Sequence, residues 1–204
     1  MIVIAYYTSG NYKKVAESHL IPSLKWWKLK YDIQEVPEFA NWQEATGYKS
    51  KFILEMLKKH KEPVCYIDVD AYVLRYPELL FNIPEEYDLA YHNLDRFLQW
   101  NITSPHRYEL VSGTLFLRYN EKVIQLLELW QANVQKEIFT MEQLVLQRIM
   151  TKPHDYKVFP LPAEYCTILI HDNTIPKYVK EPVILHCQAS RKFKRGRKGL
   201  TPME

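Results

Sequence analysis

The chain has 204 residues, of which 47% are hydrophobic and 25% are charged, and this is an ordinary globular composition. The length allows one domain with a sizeable core, and no apolar run approaches the roughly 20 residues of a transmembrane helix. Three widely spaced cysteines indicate neither a disulfide framework nor a zinc site. The N-terminus lacks the features of a signal peptide, so we expect a cytoplasmic protein.

The formal charge of +3 is concentrated near the C-terminus. Six basic residues and no acidic ones lie within residues 191–198, and the remainder of the chain has 21 basic against 24 acidic residues. A short basic run of this kind is compatible with binding phosphate, an acidic membrane surface or nucleic acid. We therefore predict one domain over residues 1–190 and a basic tail over residues 191–204.

The first elements of the chain predict a strand, a helix and a strand. Residues 2–7 are typical of a buried strand, Pro22 is expected to interrupt the following helix, and Tyr31–Val36 is a second strand. This order indicates a βαβ unit with parallel strands. The predicted fold class is α/β, with a single Rossmann-like domain whose mostly parallel central sheet is flanked by helices.

The sequence of the middle of the chain predicts an irregular segment and a capped helix, both of which could lie near a functional site. Residues 93–109 are expected to be irregular, and suit either a loop over a site or an ordinary surface loop. Thr140 is expected to cap a helix, because Gln143 follows three residues later as in a capping box.

Two aspartates follow a third apolar strand, Val64–Ile67. Asp68 and Asp70 would be costly to bury unless a metal ion, a basic side chain or water met them. Ligands of open α/β sheets bind outside the carboxyl ends of the strands, where this pair falls. Carboxylates together with substrate phosphates commonly hold Mg²⁺ or Mn²⁺. The position favours a metal site, and an acidic pair in a solvated turn is the alternative.

The segment from Tyr66 to Pro77 resembles the Asp-x-Asp segment of the nucleotide-diphospho-sugar transferases, which are glycosyltransferases of the A-type fold. In that family the segment ends a central strand and holds Mn²⁺ or Mg²⁺ against the diphosphate of a nucleotide sugar. Residues 2–10, 47–52, 112–116 and 142–143 are similar to further family segments in order and spacing. The glycogenin and lipopolysaccharide-galactosyltransferase branches carry a histidine, a glycine three residues later and a lysine six residues later. His186, Ala189 and Lys192 resemble this pattern, with alanine in place of the glycine.

The resemblance implies a metal-dependent glycosyltransferase with a nucleotide-diphospho-sugar donor, of which UDP-sugars are favoured. It implies His186 as a third ligand beside Asp68 and Asp70, and a buried histidine closing a strand is the alternative. Glu142 and Gln143 would lie near the anomeric carbon of a retaining enzyme, although Glu142 also suits an ordinary first-turn acid. The implied donor-binding residues are Ala5, Tyr6, Tyr7, Thr8, Lys49, Lys51, Asp68, Val69 and Lys192.

The acceptor is left open by the sequence, and can be a carbohydrate, a lipid-linked molecule or a protein. The basic tail could also contact an anionic membrane surface. A competing interpretation is a nucleic-acid or anionic-surface binder that acts through residues 191–198 alone. That class of protein would bind in a strongly salt-dependent manner and would lose binding when the tail is removed.

Overall fold

The computed structural model describes residues 1–137, 140–170 and 173–190, with only the backbone of Trp42. Helices and strands alternate along this part of the chain, and a short 3-10 helix covers Ala163–Cys166. The strands are β1 (Ile2–Thr8), β2 (Tyr31–Val36), β3 (Val64–Ile67), β4 (Ala71–Val73), β5 (Leu89–Asp95), β6 (Tyr108–Leu117), β7 (Val158–Pro160), β8 (Thr167–Ile168) and β9 (Ile184–His186). The helices are α1 (Asn11–Ser18), α2 (Leu20–Trp26), α3 (Trp42–His60), α4 (Glu78–Phe81), α5 (Arg96–Trp100), α6 (Glu121–Lys136) and α7 (Glu142–Met150).

The central sheet has the strand order β2–β1–β3–β6–β5–β7 in the described residues. Strand β1 pairs in parallel with β2 and β3, and β5 pairs in parallel with β7. Strand β6 is antiparallel to both of its neighbours, β3 and β5. Every strand of this sheet except β6 therefore runs in one direction, and both the βαβ unit and the predicted mostly parallel α/β fold are confirmed.

Helices cover both faces of this sheet, because its strands are apolar on both sides. In β1, Ile2 and Ile4 face a core shared with α3, α6 and α7, where Trp130 is fully buried. Val3 and Ala5 face the opposite core, which includes side chains of α1, α2 and β4. Successive strand residues point to opposite faces, so this alternation fixes which face each later side chain meets.

A second, smaller sheet lies beside the carboxyl end of β3, with the order β4–β9–β8. Strand β4 is antiparallel to β9, and this register places Ala71 opposite His186. The pairing brings a residue from near the C-terminus to the segment that directly follows the two aspartates. No helix in the described ranges is long and apolar enough to cross a membrane.

Two helix predictions were wrong in their boundaries. The first helix breaks at His19, and Pro22 lies in the first turn of α2, where the missing N–H costs no helical hydrogen bond. Helix α7 begins after Met141 without a side-chain cap, so Thr140 does not cap it. The side chain of Gln143 makes hydrogen bonds to β6 instead, and these take the place of the predicted capping box.

Residues 93–109 are more regular than predicted. Strands β5 and β6 continue beyond the end of β3 as a two-stranded hairpin, and α5 lies at its tip. The side chain of Asp95 caps α5 by accepting hydrogen bonds from the amides of Phe97 and Leu98. The hairpin buries Leu94 and Val111 in only a small cluster. It therefore does not need the continuous apolar run by which a central strand is recognised in the sequence.

Candidate functional site

The two aspartates lie at the carboxyl end of β3, beside β6. The backbone amide of Asp68 donates a hydrogen bond to the carbonyl of Gly113 over 2.9 Å, which fixes the turn that follows the strand. One carboxylate oxygen of Asp68 accepts a hydrogen bond from the hydroxyl of Tyr66 at 2.9 Å. On the other side, the carbonyl of Asp70 accepts from the amide of Cys187 at 3.1 Å, next to β9.

Asp68, Asp70 and His186 form one cluster of potential metal ligands. One oxygen or nitrogen atom from each residue lies within 4.8 Å of the atoms offered by the other two. Burial, and then repulsion by Asp68, raise the pKa of Asp70, although His186, the amide of Ala189 and Lys49 oppose the shift. Burial lowers the pKa of His186 against the attraction of both aspartates, which favours a neutral imidazole with a free lone pair.

Two residues of β6 shape the surroundings of His186. The hydroxyl of Thr114 lies 2.9 Å from Nε2 of His186, so this nitrogen is held by the protein and Nδ1 remains for a ligand. A Cβ atom at Gly113 would lie 2.9 Å from Cε1 of His186 and 3.2 Å from Oδ2 of Asp68. Glycine at this position therefore leaves the space between the imidazole and the carboxylate open.

Mn²⁺ or Mg²⁺ fits these residues. The cluster offers two carboxylates and one neutral imidazole, which are common ligands of divalent ions. The pKa of Asp70 is raised by its burial and then by the charge of Asp68, and a cation bound beside Asp70 would offset both effects. His186 also closes β9 as a buried residue, so its role as a metal ligand stays a prediction.

Lys49 connects the aspartates to α7. Its ammonium group lies 3.2 Å from Asp68 Oδ1, 3.0 Å from Glu142 Oε1 and 3.0 Å from Ser112 Oγ, and its side chain is 6% exposed. Burial acts to lower the pKa of Lys49, but Asp68 and Glu142 outweigh it and raise the pKa. The lysine therefore remains charged, and Glu142 is held beside the cluster as its partner.

Gln143 extends this network, because the Ser112 hydroxyl also lies within hydrogen-bond distance of its Oε1, at 3.3 Å. Its Oε1 accepts a hydrogen bond from the amide of Ser112 at 2.9 Å, and its Nε2 donates to Glu109 at 2.7 Å. Both ends of the amide are thus bound to β6. The structure brings Glu142 and Gln143 to the same edge as Asp68, but a catalytic role for either remains a prediction.

The predicted donor-binding residues of β1 occupy two faces of the strand. Ala5 is fully buried. The ring of Tyr6 packs against Tyr48, Phe52 and Tyr66, and its hydroxyl donates to the carbonyl of Ala45 at 2.6 Å. Tyr6 is thus part of the aromatic core next to the site. Tyr7 and Thr8 continue the strand towards the turn and are partly exposed.

The remaining predicted residues are distributed differently. Lys51 is half exposed and pairs with Glu55 at 3.8 Å. It lies two positions after Lys49, and residues two positions apart point to different sides of a helix. It does not join Lys49 at the aspartates. Val69 is buried between the two aspartates in the core against α1 and α2. Lys192 and the basic tail lie outside the described residues, so the boundary after residue 190 stays a prediction.

Comparison with known proteins identifies the chain's relatives. A family model described as nucleotide-diphospho-sugar transferase matches residues 13–198. The chain belongs to this family. The protein is therefore a glycosyltransferase that uses a nucleotide-sugar donor, as its sequence predicted. No match was found among curated protein sequences.

Solved structures of glycosyltransferases share the fold of this transferase. One is involved in the glycosylation of the major capsid of PBCV-1 and has a TM-score of 0.69, 12% identity and 95% coverage of both chains. The galactosyltransferase LgtC has a TM-score of 0.54, 11% identity and coverage of 100% of this chain and 98% of its own. Mouse xyloside xylosyltransferase 1 has a TM-score of 0.56, 10% identity and coverage of 93% and 99%.

Several residues that contact or border the transferase site were not predicted as site residues from the sequence. Ser112, Gly113 and Thr114 lie in a segment that resembles the family, but their separate contacts were not foreseeable from it. Tyr66 lies on β3 two residues before Asp68, which directly follows the strand, so the period of two could have placed both side chains on one side. Burial and then the charges of Asp70 and Asp68 raise the pKa of Tyr12, which places this tyrosine near the cluster without a sequence signal.

Proposed function

We propose that this transferase is metal-dependent and that Asp68, Asp70 and His186 hold Mn²⁺ or Mg²⁺. The observation that carries the proposal is the convergence of two carboxylates and one imidazole to within 4.8 Å at the carboxyl end of a central strand. A divalent ion bound there would neutralise the charge that develops on the leaving nucleoside diphosphate. The favoured donor is a UDP-sugar, in keeping with the sequence resemblance.

The surrounding side chains would position the donor rather than perform acid–base chemistry. Lys49 keeps a buried positive charge next to Asp68 and Glu142, which fixes the orientation of both carboxylates. Gly113 leaves room for a group beside Asp68. The Thr114 hydroxyl engages Nε2 of His186, so that Nδ1 is the nitrogen available for coordination.

We further propose transfer with retention of the anomeric configuration. An inverting enzyme needs a carboxylate base that reaches the hydroxyl of the acceptor. Glu142 is 3% exposed and its Oε1 is occupied by Lys49 and by the Ser112 hydroxyl, so it is poorly placed to take that proton. Asp68 and Asp70 are assigned to the metal. Among the described residues, the remaining carboxylate beside Gln143 is Glu109, which accepts from Gln143 at 2.7 Å and lies 3.6 Å from Arg96, so it too is engaged by the protein.

A thermal-shift panel with UDP, GDP, CDP and TDP, each with and without Mn²⁺, tests the donor and the metal together. We expect the largest rise in melting temperature with UDP and Mn²⁺ in combination, and little with either alone. Nuclear magnetic resonance of the sugar product from the matching UDP-sugar then reports its anomeric configuration. A product of inverted configuration would contradict retention, and stabilisation by UDP that is independent of metal would contradict the metal site.

A further inference from the structure

A groove of about 440 Å³ lies between α7 and the hairpin of β5 and β6. Tyr91 and Asn93 of β5, Tyr108 of β6, and Gln147 and Thr151 from the end of α7 contribute to its lining. The groove is separate from the cluster of Asp68, Asp70 and His186, and neither the proposed metal nor the donor diphosphate requires it.

The chemistry of the lining argues against an anionic ligand. Among the described residues that line the groove, none carries a charged side chain. A diphosphate or a phosphorylated group would need cationic partners there. The exposed ring of Tyr108 and several amide and hydroxyl groups are present instead, and these suit an uncharged sugar, whose C–H faces pack on rings while its hydroxyls bind amides.

Gln147 provides an unused hydrogen-bond acceptor. Its Nε2 donates to the backbone carbonyl of Tyr108 at 3.3 Å, and this fixes the orientation of the amide because a carbonyl oxygen can only accept. The opposite atom, Oε1, is buried and has no hydrogen-bond partner within the described part of the chain. A buried acceptor without a partner is costly, and a shift of the Gln147 side chain towards the groove would let a donor such as a sugar hydroxyl satisfy it.

Two further polar groups of the groove are available. Asn93 is exposed, and its side chain makes no hydrogen bond to the described residues. The hydroxyl of Thr151 donates to the carbonyl of Arg148 at 3.1 Å and retains its capacity to accept. Together with Gln147 they provide both donors and acceptors on the walls of one groove.

The groove begins close to the candidate site. Gln147 follows Gln143 by four residues, so both lie on the same face of α7, about 6 Å apart along the helix axis. Gln143 binds the amide of Ser112 and the carboxylate of Glu109, and Tyr108 is the next residue of the hairpin. An extended chain of sugars at the edge near Gln143 could therefore continue into the groove.

We propose that this groove binds an uncharged sugar unit of the acceptor, next to the unit that receives the transferred sugar. The acceptor would then be a neutral oligosaccharide. The role of the bound sugar as an acceptor rests on the proposed function, but binding of the sugar to the groove requires neither the metal nor the donor.

Binding to an array of oligosaccharides that lack sialic acid, sulfate and phosphate tests the proposal, with the full chain as the probe protein. The double variant Gln147→Met and Asn93→Ala removes the two amides and keeps the side-chain length at position 147. We expect neutral oligosaccharides to bind the unmodified protein, and the double variant to bind at least about tenfold more weakly. A second array, of sialylated and sulfated oligosaccharides, provides the comparison with charged sugars.

The matched control is Gln125→Met, the same substitution on the exposed face of α6, where Gln125 donates to Glu121 at 3.2 Å. It should bind like the unmodified protein. The proposal is overturned if no neutral oligosaccharide binds, if only charged ones bind, or if the double variant binds as well as the control. Stabilisation by UDP with Mn²⁺, measured on all three proteins, should be unchanged. If UDP with Mn²⁺ does not stabilise the unmodified protein, the proposed function is refuted, whereas the array alone decides whether the groove binds sugar.

Discussion

The two sides of the candidate site are stabilised in different ways. The main-sheet side is built on α3, β3, β6 and α7, and its polar residues are Lys49, Asp68, Ser112 and Glu142. The second-sheet side is built on β4 and β9 and the segment after them, and its polar groups are the side chains of Asp70 and His186 and the backbone amide of Ala189. The first side contains its own buried cation, whereas the second contains an aspartate whose pKa is raised.

This difference indicates which side depends on a ligand. On the main-sheet side, Lys49 pairs with two carboxylates, so the arrangement can form before any substrate binds. On the second-sheet side, the amide of Ala189 donates to Asp70 Oδ2 at 2.8 Å, but repulsion by Asp68 persists. We therefore expect the main-sheet side to contribute to folding stability and the second-sheet side to respond to metal.

The largest expected effect is that of Lys49→Met, which breaks the main-sheet side. Removing the cation leaves the buried carboxylate of Glu142 without its partner, which typically costs about 3–5 kcal/mol. For a chain of this size that corresponds to a fall in melting temperature of about 10 °C. Differential scanning calorimetry without metal measures it.

The matched control for that variant is Lys51→Met, two residues along the same helix. Lys51 is half exposed and its ion pair with Glu55 spans 3.8 Å, so its removal should change the unfolding free energy by less than about 0.5 kcal/mol. Equal losses for the two variants would show that the buried network has no special part in stability.

Gly113→Ala acts on the space between the two sides. Its added Cβ would lie 2.9 Å from His186 and 3.2 Å from Asp68, so one of them must shift. We expect Mn²⁺ in the presence of UDP to bind about tenfold more weakly or worse, measured by isothermal titration calorimetry.

Gly47→Ala is the corresponding control away from the cluster. Its Cβ would lie 3.0 Å from Val134 Cγ1, so it also crowds a packed helix pair but touches none of the proposed ligands. It should leave metal binding unchanged whatever it does to stability. Equal loss of metal binding in both variants would attribute the effect of Gly113→Ala to general destabilisation.

The smallest expected effect is that of Asp32→Asn, which gives a baseline for an ion pair outside the site. Asp32 accepts hydrogen bonds from Lys59 at 2.6 Å and His60 at 2.9 Å. Burial acts to raise the pKa of Asp32, but the bonds from Lys59, His60 and Gln34 outweigh it and lower the pKa. Removing these partly exposed pairs should cost about 1 kcal/mol or less at pH 7.

The sign of the pH dependence follows from that lowered pKa. The stability that ionised Asp32 contributes is present above its unfolded pKa of about 3.9 and is lost as the pH falls through the lower folded pKa. The difference in unfolding free energy between Asp32→Asn and the unmodified protein should therefore shrink below about pH 4. Chemical denaturation at several pH values checks it, and a difference that grows towards low pH would contradict the assignment.

The sequence was sufficient for the parts of the molecule that depend on local patterns. The apolar run Val64–Ile67 identified a central strand with the same bounds as in the structure, and the position of Asp68 at its end followed directly. The βαβ unit followed from the order of the first elements. These features follow from the hydrophobic periodicity and from the free-energy cost of burying a charge, and both can be read from residues that are close in sequence.

The parts that the sequence did not reveal depend on distant contacts. Lys49 and Lys51 look equivalent in the sequence, and only the packing of α3 against the sheet buries one and exposes the other. Gln143 looked like part of a capping box, but its amide is used by Ser112 and Glu109, over 30 residues away. The hairpin between β5 and β6 was predicted as irregular because few of its residues enter a core.

The most direct test of the central claim is calorimetric titration of Asp70→Asn with Mn²⁺ in the presence of UDP. Asparagine keeps the shape of the side chain and can still accept a hydrogen bond from the amide of Ala189, but it removes the charge proposed to hold the metal. We predict that metal-dependent binding of UDP falls below detection while the melting temperature without ligands does not fall. Binding of UDP and Mn²⁺ with unchanged affinity would show that Asp70 does not hold the metal.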